Sequence, residues 1–155
     1  MSPAEFFRKL RAYPPAEWPW MAEAALFLGA ARLLIRFVPF RVWRGWMGPI
    51  GARGPLPPLA GRQRASALRA RRWIRRVSAN APFRAVCLPQ AMAGRWMLAR
   101  RGIPSELHIG ARMPGKDEAA GRPFNLHAWL VCGDLCLTGA HERHRFAAFA
   151  RPAAA

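Results

Sequence analysis

Between Cys87 and Thr138 the hydrophobic pattern changes period once, from 3.6 residues to two, and that change limits the segment to a helix followed by a small antiparallel sheet. Leu88, Met92, Trp96 and Ala99, with Ala91 and Leu98 beside them, recur at helical spacing. Pro89 suits the first turn, Arg100 and Arg101 the negative end of the helix dipole, and Gly102 the residue past the helix. From Leu107 onward, Leu107, Ile109 and Ala111 alternate with His108, Gly110 and Arg112, which predicts a half-buried strand with His108 on its solvated side. A polar loop from Pro114 to Pro123 precedes a second strand over Phe124 to Cys132. Gly133-Asp134 then makes a two-residue turn into a third strand, Leu135 to Thr138. The expected fold class is α+β.

Upstream, Trp20 to Phe40 is rich in Ala, Leu, Phe and Ile but is interrupted by Glu23, Arg32 and Arg36 and closed by Pro39, too short an apolar run to span a membrane. Its arginines share one side and leave Leu26, Phe27, Ala30, Leu33, Leu34 and Phe37 as a wide opposite face. That pattern predicts an amphipathic helix packed on the rest of the chain or on a partner, with peripheral membrane contact as the second reading. Three segments result: an amphipathic helical region over 1–47, a Gly/Pro-rich linker over 48–61, and a catalytic domain over 62–155.

The net charge of +17 is almost entirely arginine. Seven arginines lie between Gly61 and Val77 around an apolar line of Ala65, Leu68, Trp73 and Val77, a basic amphipathic helix of the kind that binds nucleic acid, an anionic membrane or an acidic peptide but is more often a solvated face above a core stripe. Neither a zinc finger, a helix-turn-helix signature nor the aromatic motifs of an RNA-binding sheet occurs, so no nucleic-acid partner is expected. Three cysteines at irregular spacing make no disulfide framework, and the N-terminus, with Glu5, Arg8, Lys9 and Arg11, has no secretory pattern. A cytoplasmic setting is the expectation.

The chemistry lies in two residues. Cys87 stands at the mouth of the helix, where unpaired backbone amides and the dipole favour a thiolate, and His127 stands in the second strand, inside Phe124-Asn125-Leu126-His127-Ala128-Trp129-Leu130. A helix-terminal thiol facing a strand histidine is the apparatus of thiol nucleophilic catalysis. Alone, Cys87 reads as one more buried cysteine; the histidine segment reverses that reading. Gln90, one turn into the helix, reads as a helix-surface side chain that could assist.

This order of elements, with Cys87-Leu88-Pro89-Gln90-Ala91, Leu98-Ala99-Arg100-Arg101-Gly102-Ile103-Pro104, Leu107-His108-Ile109-Gly110 and His127-Ala128-Trp129, resembles the transglutaminase-like leader peptidase of lasso-peptide biosynthesis. The resemblance covers roughly residues 70 to 150. It implies a papain-like cysteine peptidase that removes the leader from a precursor peptide, so that a separate macrolactam cyclase can close the ring. It also implies the split form of that system, in which leader recognition belongs to a separate protein. No cofactor is expected.

The third catalytic member is less constrained. Asp134 lies seven residues along an extended strand from His127, roughly 23 Å away, and is the weaker alternative. The resemblance implies an aspartate about a dozen residues beyond the histidine, where this chain reads Thr138-Gly139-Ala140-His141-Glu142. A two-residue turn pairs Ala140 with His127 and makes Thr138 and Glu142 diagonal neighbours, so Glu142 is the better acid. A dyad of Cys87 and His127, with the ring held by a backbone carbonyl or by Thr138, is equally open. Cys132, Cys136, His141 and His144 cluster near His127 in a spacing that fits no common zinc arrangement, so no metal is expected. The competing reading is a non-catalytic transglutaminase-like basic protein that binds a partner or a membrane surface.

Overall fold

A computed structural model describes residues 13–47, 50–51, 56–83, 85–112, 125–141 and 143–148. Helix α1 (Trp18–Phe37) is followed by a short helix α2 (Phe40–Trp43), then by α3 (Gly61–Asn80) and α4 (Cys87–Ala99). Strands β1 (Glu106–Arg112), β2 (Asn125–Cys132), β3 (Leu135–Thr138) and β4 (Ala147–Ala148) form one antiparallel sheet in the order β3-β2-β1-β4. The fold is α+β, as the change of period requires; β4, two alanines long, carries no pattern of its own.

Helix α4 is central, packed on α1 and α3 on one side and on the sheet on the other. This is why Ala91, Met92, Ala93, Gly94, Met97 and Leu98 are all buried rather than one stripe alone. At Gly94 the sheet comes so close that a Cβ would lie 2.8 Å from Leu137 and 2.9 Å from Leu130. The helix stops where expected: Gly102 takes a left-handed φ of +63°, and the Ile103 amide turns back to the Leu98 carbonyl at 3.0 Å.

Two helical faces differ from those read off the charges. Helix α1 buries Ala24, Leu28 and Ala31, while Leu26, Leu33 and Phe37 stay exposed. On α3 the buried residues are Ala67, Ala70, Trp73 and Ile74, and Leu68 is exposed. The cause is the same in both: small alanines let three helices approach closely, and partly buried ion pairs set the rotation. Glu23 of α1 accepts from Arg101 at 2.6 Å, and Glu17, just before α1, accepts from Arg69 and Arg72 and from the Trp73 indole. The basic face of α3 is thus partly spent within the chain. Ala24, Leu28 and Ala31 join the same buried cluster as α3, α4 and the sheet, so the N-terminal helix packs on the remainder of the fold. No helix among the described residues is long and apolar enough to cross a membrane.

Hydrogen bonds from Arg69 and Trp73 hold the Glu17 carboxyl below its ordinary pKa. A carboxylate lowered in this way adds stability that is complete above the ordinary value of about 4.3 and is lost as pH falls from there through the lowered native value. Glu17→Gln is expected to melt earlier at pH 7, and the gap to the parent chain is expected to narrow as the pH is taken below 4 in thermal melts.

Strand pairing also departs from expectation in one place. Cys132 pairs with Leu135 and Val131 with Cys136 around the two-residue turn, but Leu130 pairs with Thr138, so Leu137 is an extra residue, a β-bulge. The bulge moves the register by one, and β3 ends at Thr138 before any residue reaches the position opposite His127. Ala140 therefore does not pair with His127.

Candidate active site

Cys87 is the first residue of α4, entered from an extended Val86 (φ −74°, ψ −169°), and the first backbone bond of the helix runs from the Gln90 amide to the Val86 carbonyl at 3.3 Å. Helix geometry leaves the amides of Cys87 and Leu88 without an acceptor one turn earlier, and Pro89 has no amide to place. The thiol is partly exposed, and all three cysteines are free.

His127 is 5% exposed, on β2 opposite Gly110 of β1. Its ring lies against Phe146 at 5.0 Å between centroids and 30° between planes, with Trp129 at 5.9 Å and His141 edge-on at 6.5 Å. Nε2 lies 3.0 Å from the carbonyl oxygen of Gly139. A carbonyl only accepts, so Nε2 carries the proton and, in the neutral ring, Nδ1 carries the lone pair. A backbone carbonyl against the ring is one of the arrangements the sequence leaves open, beside Glu142 and Thr138.

That contact depends on Gly139, a glycine to which the sequence pattern assigns no role. After the bulge the chain crosses β2 at Gly139, whose φ is +72° and whose Cβ position lies 2.7 Å from the Ala128 carbonyl, 2.8 Å from Trp129 Cβ and 2.9 Å from His127 Nε2. Only glycine lets the backbone approach so closely. The signal was a lone glycine at the end of a strand, which marks a close backbone approach.

Cys87 and His127 line one open cleft of about 540 Å³, shared with Gln90, Arg112, Gly139 and Phe146. Gln90 faces this cleft instead of open solvent, and its side-chain nitrogen donates to the Ala85 carbonyl at 2.7 Å. Asp134 does not approach. It stays in the hairpin turn, 60% exposed, with a 2.7 Å ion pair to Arg64 whose hydrogen bond lowers the carboxyl pKa. Glu142 lies outside the described residues.

His108 is not solvated; it is half-buried, stacked on Trp129 at 5.5 Å and 6°, because the strand opposite places that indole directly across from it. Cys132 is fully buried, and burial pushes its thiol up to about 11. Cys136 donates to the Thr138 carbonyl at 3.3 Å. Among the described residues no three His, Cys, Asp or Glu side chains converge as metal ligands do. Iodoacetamide at pH 8 is therefore expected to alkylate Cys87 at least about tenfold faster than Cys132, read by peptide mapping, since only exposed thiolate reacts.

The description "transglutaminase-like superfamily" belongs to the family model that matches residues 32–151, from within α1 to beyond β4. No curated protein and no solved structure matches the chain.

Proposed function

The chain belongs to the transglutaminase-like superfamily, which includes cysteine peptidases, and we propose that it is one of these, removing the leader from a lasso-peptide precursor before a separate cyclase closes the macrolactam. The observation that carries the reading is the shared cleft: a thiol at a helix N-terminus and a histidine whose Nε2 is committed to the Gly139 carbonyl. In this reading the two side chains act as a thiol–imidazole pair, and the contact with the Gly139 carbonyl sets the ring tautomer.

The chemistry follows from those atoms. Cys87 Sγ gives its proton to His127 Nδ1 and attacks the scissile carbonyl carbon, and the negative oxygen is met by the backbone amide of Cys87. As the C–N bond breaks, Nδ1 returns the proton to the departing amine, which is the new N-terminus of the core peptide. Water, losing a proton to Nδ1, then attacks the thioester carbon; the leader leaves as a carboxylic acid and the thiol is restored. In this reading Gln90, which lines the same cleft, adds a second hydrogen bond to the oxyanion from the remaining hydrogen of its side-chain amide.

In this reading, leader recognition falls to a separate protein, and the exposed Leu26, Leu33 and Phe37 of α1 are the surface proposed to receive it. The same exposed side chains, beside Arg32 and Arg36, favour the second reading, a non-catalytic protein that binds a partner or a membrane surface. Incubating the chain with a precursor peptide, with and without the recognition protein, separates the two. The peptidase reading expects cleavage that rises when the recognition protein raises the effective concentration of the precursor, whereas the second expects none.

A further inference from the structure

Beside the thiol cleft, and sharing Gln90, Gly139 and His141 with it, lies a second cavity of about 520 Å³. Arg71, Arg75 and Ser78 enter it from one face of α3, and Thr138 enters it from the end of β3. The hydroxyls of Ser78 and Thr138 are both buried with no hydrogen-bond partner, and Thr138 as a whole is 5% exposed. Buried polar groups are nearly always paired, so two orphaned hydroxyls on residues lining one cavity point to a polar group that comes from outside the chain. The bulge puts Thr138 there: it pairs with Leu130 and follows Leu137, both of which lie over Gly94, so its side chain is on the α4 side of the sheet.

The arginines point the same way. Arg64, Arg69, Arg72 and Arg101 each reach a carboxylate within the chain, but Arg71 and Arg75 meet none among the described residues. We propose that this cavity binds a carboxylate of the peptide whose scissile bond lies over Cys87. Two guanidinium groups line the cavity with the two buried hydroxyls beside them, and a pair of guanidinium groups suits an anion with two oxygens, for which arginine exceeds lysine. A carboxylate is the anion because the cavity adjoins the thiol cleft through Gln90, Gly139 and His141, and an unmodified peptide has no other: either an Asp or Glu side chain or its C-terminus. The identity of the ligand rests on the peptidase reading; the orphaned hydroxyls and unpaired arginines do not.

Calorimetric titration of the full chain distinguishes the sources with three probes: N-acetyl-aspartate α-amide, carrying a side-chain carboxylate; N-acetyl-alanine, carrying a terminal one; and N-acetyl-asparagine amide, carrying neither. At least one carboxylate is expected to bind and the neutral probe is not, and the carboxylate that binds names the source. The double variant Arg71→Gln/Arg75→Gln is expected to weaken that binding tenfold or more. Thr138→Val, which replaces the orphaned hydroxyl with a methyl group of the same shape, is expected to weaken it severalfold without lowering the melting temperature, because an unsatisfied buried group is removed. Binding of neither carboxylate, equal binding of the neutral probe, or undiminished binding by the folded double variant overturns the proposal. Because the readout is equilibrium binding, a chain that binds but cleaves nothing keeps the subsite and loses the peptidase reading; the converse result loses the subsite alone.

Discussion

Cys87→Ala is expected to lower precursor cleavage by about 10⁴-fold or more, the scale on which loss of a nucleophile is felt when the remaining binding and oxyanion groups stay in place. The fold is expected to survive. Cys87 is the first residue of α4 and only partly covered, and alanine is at ease in a helix, so the change removes little more than one sulfur's packing. Circular dichroism melts alongside fragment analysis by mass spectrometry separate the two quantities. A folded Cys87→Ala chain that still cleaves at the parent rate would remove Cys87 from the chemistry.

Gly139→Ala is the second large effect. A methyl group here meets the Ala128 carbonyl at 2.7 Å and His127 Nε2 at 2.9 Å, with φ at +72°, so the backbone must move and take its carbonyl off the imidazole. Left-handed strain on a non-glycine residue costs about 1–3 kcal/mol. A shift of the base by an ångström costs on the order of 10²-fold in rate. The expected signature is a kcat reduced about 10²-fold with a melting temperature several degrees lower. Asp134→Asn is expected to leave kcat within about twofold of the parent chain, because a turn residue paired with Arg64 has no contact with the ring to lose. If Glu142→Gln lowers kcat further than Gly139→Ala does, the orienting role passes from the carbonyl to that acid.

What could be read from the sequence follows from which interactions are local. Helix α4, the three longer strands and the Gly133-Asp134 turn depend on periodicity, on Gly102 and on turn residues adjacent in the chain, so their pattern is visible residue by residue. The rotation of α1 was hidden. It is set by Glu17 and Glu23 finding Arg69, Arg72 and Arg101, more than fifty residues away, and by alanines whose small size matters only once a second helix is present. The site divides the same way. Cys87 and His127 stand out because a helix terminus and a strand frame them, whereas the Gly139 contact exists only through the bulge at Leu137, and nothing in Leu135-Cys136-Leu137-Thr138 announces an unpaired residue. One inserted position turned the expected pairing of Ala140 with His127 into a glycine carbonyl over the imidazole.

The peptidase reading is tested most directly by the mass of the products. A lasso-precursor peptide incubated with the chain and a leader-recognition protein is predicted to yield two fragments whose masses sum to that of the precursor plus one water, the leader ending in a free carboxyl group. A precursor that keeps its full mass with a folded chain whose Cys87 remains open to alkylation would contradict the account.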